Sequence, residues 1–163
     1  MERRRGGADL SGKQVPPGSI ALVHDGSNLV AVSGPSVAVC LWSGESGVAC
    51  LAHFAQACVY DPGRATARYG NVAVPKALEM MREASRNGEI EAQIFGGATC
   101  PGQDPSIASG NVDVARRVLA ARGVRIVSED VGGAKGRKIV FQGATGHVAV
   151  VKVHKLRTED WNP

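Results

Sequence analysis

Apolar residues come in short runs early and late in the chain, with two stretches of helical spacing between them. The run Val30 to Phe54, VAVSGPSVAVCLWSGESGVACLAHF, is the longest of these, and a Ser/Gly turn at Ser43–Ser46 divides it into two predicted strands. Before it, Ser19 to His24 and Asn28 to Val32 read as short strands about an Asp25-Gly26 reversal. After it the pattern breaks up from Ala55 to Gly70, with Asp61-Pro62-Gly63 marking a loop. A helix is predicted from an Asn71 cap to a Gly88 stop, with Val74, Ala77, Leu78, Met81 and Ala84 on one face. Glu89 to Phe95 reads as a strand ending at Gly96-Gly97-Ala98, and Thr99–Gly110 as a loop. A second helix is expected from an Asn111 cap to Gly123, then a strand at Val124 to Val127. A hairpin of Lys138–Gln142 and His147–Val153 closes the pattern. Strands early, strands late and two helices between them predict an α+β fold, a mixed and largely antiparallel sheet covered by two helices.

Pairing Trp42 with Gly47 across the turn makes paired positions sum to 89, which sets Ser36 opposite His53. Directly opposed residues have Cβ atoms roughly 5 Å apart on one face. A hydroxyl and an imidazole so placed are a candidate nucleophile and base. The plainer alternative is a buried serine bonded to backbone and a histidine capping a strand end, and a slip of one residue would put the two on opposite faces. Cys50 and His53 have a CxxH spacing, but strand positions three apart face opposite sides, so no metal site is expected.

Composition narrows the picture. The 163 residues suit one compact domain: an arm at 1–18, a domain at 19–154 and a tail at 155–163. Aromatic residues make up only 4%, so Val, Ala, Leu and Ile must fill the core. The net charge of +4 is modest, with Arg3, Arg4 and Arg5 in an arm expected to be flexible. No face interleaves basic residues with stacking aromatics, so nucleic-acid binding is not expected. No apolar run approaches ~20 residues and no secretory signal is seen, which predicts a cytoplasmic protein without membrane insertion. The four cysteines form no CxxC pair and fit free thiols in a reducing compartment. Neither a P-loop nor a GxGxxG fingerprint is present, so no cofactor is expected.

Gly96-Gly97-Ala98, Gly110-Asn111, Gly123-Val124-Arg125-Ile126, Asp130-x-Gly-Gly, Gly136-Arg137-Lys138 and Thr145-Gly146 follow one another in an order and spacing that resemble the CheD family, the chemoreceptor glutamine deamidases of chemotaxis. The resemblance runs from about Ser19 to Val153. It implies an α/β sandwich, and a catalytic cysteine and histidine with an associated threonine that convert a receptor glutamine to glutamate and ammonia. It also implies a partner in the chemoreceptor cytoplasmic domain and, in some species, in the CheC phosphatase.

Aligned through Val37-Ala38-Val39 and Ala52-His53, the family histidine is His53, but the nucleophile position holds Ser36. Val30 stands at the threonine position, Val32 and Gly34 at the loop glycines, and Pro35 before the nucleophile. A thiol with a pKa near ~8.5 is partly ionised at neutral pH, whereas a serine depends on an oriented base. Val30 offers no hydroxyl to orient one, and Pro35 offers no N–H to an oxyanion. Cys40 shares a face with Ser36 but lies about 13 Å further along a strand. Three readings follow: a receptor- or CheC-binding module with weak or lost deamidation, a Ser36/His53 amidohydrolase oriented by Gln56 or the Asp61 loop, or a cysteine replaced in the laboratory. A binding groove is expected around Ser36, His53, Gly34 and the Gly96, Gly97, Ala98 turn, with Arg64 and Arg68 facing acidic receptor helices.

Overall fold

In the computed structural model, which describes residues 9–163, the chain forms three layers. A five-stranded sheet lies in the middle, a four-stranded sheet covers one face and helices cover the other. The five-stranded sheet has the order β2-β5-β4-β6-β7, with β2 at Ser19–Val23, β4 at Val37–Ser43, β5 at Val48–Phe54, β6 at Glu91–Gly96 and β7 at Arg125–Val131. The four-stranded sheet has the order β1-β3-β8-β9, from Lys13–Gln14, Asn28–Ser33, Gly136–Gln142 and Val148–Val153. Two long helices, α1 at Gly70–Ala84 and α2 at Pro105–Ala121, and a short α3 at Thr158–Trp161 complete it. This is the expected α+β class.

The central hairpin is apolar on both faces because both faces are covered. Val37, Val39 and Leu41 of β4 and Cys50, Ala52 and Phe54 of β5 pack under Ala73, Ala77, Leu78 and Met81 of α1. Ala38, Cys40, Ala49 and Leu51 face Leu29, Ala31, Ile139 and Phe141 of the other sheet. Every residue of β5 is buried, as a strand sandwiched on two sides requires. Each large side chain such as Leu41, Leu51 or Phe54 contributes roughly 1.5–3 kcal/mol through that burial.

Several elements depart from the sequence expectation. Asp25-Gly26 joins no hairpin: β2 pairs with β5 and β3 with β8, so the chain changes sheets there. Asn71 does not cap α1, whose preceding residue Tyr69 makes no side-chain cap bond. The first helical N–H groups, of Gly70 and Asn71, donate instead to the carbonyls of Gln56 and Ala57. The Asn71 side chain holds the backbone of Val59 through two bonds of 3.0 and 2.7 Å. α2 begins earlier than expected because Asp104 caps it, accepting from Ser106 N, and Pro105 occupies the first turn. Gly110 and Asn111 therefore lie within the helix rather than before it.

The arm expected at 1–18 is not free along its whole described length. Lys13–Gln14 pairs in parallel with Leu29 and Val30, Val15 is buried, and Gly18 N donates to His53 O. Its arginines Arg3, Arg4 and Arg5 lie outside the described residues. No described helix is long and apolar enough to cross a membrane.

Candidate active site

The register of the central hairpin differs from expectation by two residues. Val37 pairs with Phe54, Ala38 with His53 and Ser43 with Val48, so paired positions sum to 91. The reason lies in the turn: Gly47 has φ +66°, a left-handed conformation that belongs to a reversal and not to a paired strand. A shift of two preserves facing, so Ser36 stands diagonally to His53 on one face, beside Ala38. Ser36 Oγ and His53 Nε2 are 2.8 Å apart, and both residues are fully buried.

The other ring nitrogen decides the proton's place. His53 Nδ1 lies 2.7 Å from Val15 O, and a carbonyl only accepts, so Nδ1 carries the hydrogen. Burial lowers the His53 pKa from 6.5 to about 4, against smaller raising effects from the Val15 carbonyl and Asp160. The ring is thus neutral at pH 7, and Nε2 is left to accept the Ser36 hydroxyl proton. Neither Gln56 nor the Asp61 loop orients it: Gln56 is exposed, and the Asp61 carboxylate accepts from Gly63 N. Val30 has no hydroxyl, but its carbonyl accepts from Val15 N at 2.8 Å and so fixes the group that holds His53. Position 30 therefore steadies His53 through main chain. Cys50, three residues from His53, packs on the helix side of the sheet, away from Val15.

Main-chain and side-chain bonds hold the loop that carries Ser36. Its carbonyl accepts from Ser33 Oγ and from Gly97 N, and Gly34 O accepts from Ala98 N at 2.8 Å. Gly96, with φ +114°, runs so close to Ser33 Oγ and Ser36 O that a Cβ there would overlap both. The Gly96, Gly97, Ala98 turn is thus the shelf against which the Ser36 loop is built. Behind it the fully buried Arg137 binds Asp130 at 3.0 Å and donates to the Gly96, Lys135 and Gly132 carbonyls.

Asn111 is the clearest residue that sequence reasoning misplaced. Fully buried in α2, it donates through Nδ2 to Pro35 O and to Ala55 O, each at 2.9 Å. One amide so ties the residue before Ser36 to the residue two after His53. An Asp104-Pro105-Ser106 start to α2 would have located it, since that start puts Asn111 inside the helix.

A cleft of about 490 Å³ lies next to the neighbours of this pair, lined by Pro35, Ala55, Arg68 and Gln103 and, from the end of the chain, by Trp161, Asn162 and Pro163. Arg68 stands in its wall and donates to Pro163 O at 2.8 Å. Arg64 is exposed on the turn Pro62–Arg64 and is not among the cleft residues. Burial pushes the Cys40 thiol well above its usual pKa and that of Cys50 to about 12, so neither supplies a thiolate in place of Ser36.

Fold and site define an α+β sandwich with a hydroxyl–imidazole pair at one end of its two sheets. The family model described as CheD chemotactic sensory transduction matches residues 58–152. The chain is 33% identical over 140 residues to a probable chemoreceptor glutamine deamidase CheD 1 of Anaeromyxobacter dehalogenans, covering 83% of this chain and 81% of that protein. It is 29% identical over 134 residues to the probable CheD of Sulfurimonas denitrificans, 79% of this chain and 86% of the relative. A probable CheD 2 of Geobacter sulfurreducens is 30% identical over 148 residues, 88% of this chain and 91% of the relative. The chain belongs to the CheD family.

Proposed function

We propose that this protein is a cytoplasmic chemotaxis module that engages the cytoplasmic domain of chemoreceptors, and that its hydrolysis of receptor glutamine is slow or lost. The observation that carries this is Ser36 Oγ standing 2.8 Å from His53 Nε2, where the resemblance places a cysteine. Attack on a glutamine side-chain amide would form a seryl ester, pass the hydroxyl proton to His53 Nε2 and on to the leaving ammonia, and end with water releasing glutamate. A serine in that place starts from a hydroxyl that is scarcely ionised, and Pro35 gives no N–H to the developing oxyanion. Receptor binding requires neither group. Arg64 and Arg68 contribute positive charge for acidic receptor helices, and a CheC-type phosphatase is a second partner of the same module.

A second reading, a working serine amidohydrolase, is favoured by one feature: Val15 O orients His53 as a triad's third member would. Incubating a chemoreceptor cytoplasmic domain with the protein, then weighing its peptides, separates the two. The expected result is stable binding, little amide-to-acid conversion by the native protein, and more by Ser36→Cys. Turnover by Ser36→Cys should rise again, more than additively, with Val30→Thr and Pro35→Ser, because groups of one site act as a unit. Conversion by the native protein at the rate of the restored variant, abolished by Ser36→Ala, would establish the serine enzyme instead. Absence of receptor binding would remove both.

A further inference from the structure

Ser36 is fully buried, and the segment after β9 lies against the loop that carries it. From Leu156 onward the chain crosses the end of both sheets where the pair stands. Leu156 rests on Gly136, and the Asp160 carbonyl and Trp161 ring rest on Gly34, two residues before Ser36. A Cβ on Gly34 would come within 2.6 Å of Asp160 O and 2.9 Å of the Trp161 ring. Glycine thus stands at both points where the segment presses on the sheets, which lets it descend onto the site. On the His53 side, Arg157 and Asp160 share the lining of a cavity of about 340 Å³ with His53, Pro16, Pro17 and Val32.

The segment's hold is slight by comparison with its cover. α3 has four residues, none of them buried. Beyond the packing, Arg68 Nη2 donates to Pro163 O at 2.8 Å and Gln103 Nε2 to Trp161 O at 3.3 Å. The Arg157 bonds to Glu159 and Asp160 stay within the segment and stiffen it without anchoring it. Segments fixed by a few solvent-reached bonds open at far smaller free energy than the core beneath them.

We propose that residues 156–163 are an intramolecular strap seated in the groove that receives the substrate segment, so that a partner must displace it to reach Ser36 and His53. The strap also shows what the groove reads. Arg68 and Gln103 take main-chain oxygens, and Gly34 takes a flat apolar side chain, so the displacing partner is a peptide that offers both. Identification of that peptide with a receptor helix rests on the function proposed above, whereas the covering does not.

Ser36→Cys provides a reporter that needs no receptor. Its alkylation by iodoacetamide is followed on the peptide that contains residue 36, so that Cys58 and Cys100 do not interfere. Arg68→Ala with Trp161→Ala loosens the strap in the 163-residue chain, and a chain ended after His154 removes it. A strap closed ten times as often as it is open slows the reaction ~tenfold, so both variants should react about that much faster. A synthetic peptide of residues 155–163 should return the shortened chain to the slow rate. Equal rates in the intact and loosened proteins overturn the strap, as does acceleration in the shortened chain that the peptide does not reverse. If the shortened chain does not fold, the double variant decides alone. A receptor helical fragment should bind the shortened chain more tightly by the same factor. Equal affinity for the two would refute a shared groove, and no binding to either would refute the receptor reading while the alkylation rates still judged the strap.

Discussion

The two ends of the sandwich are built from the same strands and differ in what they do with buried polar atoms. At the end where β4 begins and β5 finishes, Ser36, His53, Val15 O, Asn111, Ser33 and Arg137 are joined by bonds among themselves and to main chain. At the other end, around the 44–47 turn, Trp42 Nε1, Ser43 Oγ and the nearby Ser85 Oγ are buried with no partner among the described residues. Unpaired buried groups cost free energy, and a connected network holds one geometry. The first end is a site in which each group's place is set by another; the second only closes the layers. One orphan interrupts the contrast, the Asn111 Oδ1 at the site end.

The largest test of the contrast compares two glycines of positive φ. Gly96→Ala would drive a Cβ into Ser33 Oγ and Ser36 O, while Gly47→Ala at the far turn meets nothing within 4 Å among the described residues. Clash plus left-handed strain should cost ~4 kcal/mol at Gly96, and strain alone about 1 kcal/mol at Gly47. Urea unfolding of the two variants measures both, and equal losses would erase the distinction between the ends.

Next comes pH. His53 titrates near 4 when folded and near 6.5 as an unperturbed imidazole. Between these values the unfolded chain binds a proton that the folded one does not, so stability rises with pH across that window. The contribution is complete above about pH 6.5 and is lost as pH falls through about 4, at most roughly 3 kcal/mol. His53→Gln should flatten that part of the stability profile, and an unchanged slope would mean that the ring is not held neutral by burial.

The smallest effects come from polar truncations. Asn111→Ala leaves the buried Pro35 and Ala55 carbonyls without their donor and should cost about 2 kcal/mol. Ser43→Ala removes a hydroxyl that bonds to nothing among the described residues and should be neutral or stabilising by up to ~1 kcal/mol. Thermal melts of the pair suffice, and a loss at Ser43 matching that at Asn111 would show the far end to be as finely held as the site.

What could be read from the chain alone follows from short-range rules. Strand alternation put Ser36 and His53 on one face even though the assumed register was wrong by two, because facing depends only on parity. Helical spacing likewise identified Val74, Ala77, Leu78 and Met81 as the buried stripe of α1. Cap assignment failed at Asn71 and Asn111, since an asparagine that caps a helix and one that clamps a distant loop look alike in sequence. The loop before Ser36 and the turn at Gly96–Ala98 were legible as glycine-rich segments, but not as two sides of one shelf.

The sequence by itself determined the α+β class, the family, and the meeting of a serine with a histidine, because local periodicity and ordered motifs carry those. Only the tertiary structure decided what orients the histidine, what clamps the two loops and what covers them. Val15 O reaches His53 across 38 positions, Asn111 reaches Ala55 across 56 and Pro35 across 76, and Arg68 reaches Pro163 across 95. In each case the acceptor is a main-chain oxygen, a group every residue has, so nothing in the identity of that residue announces it; packing of the layers selects which one lies within reach.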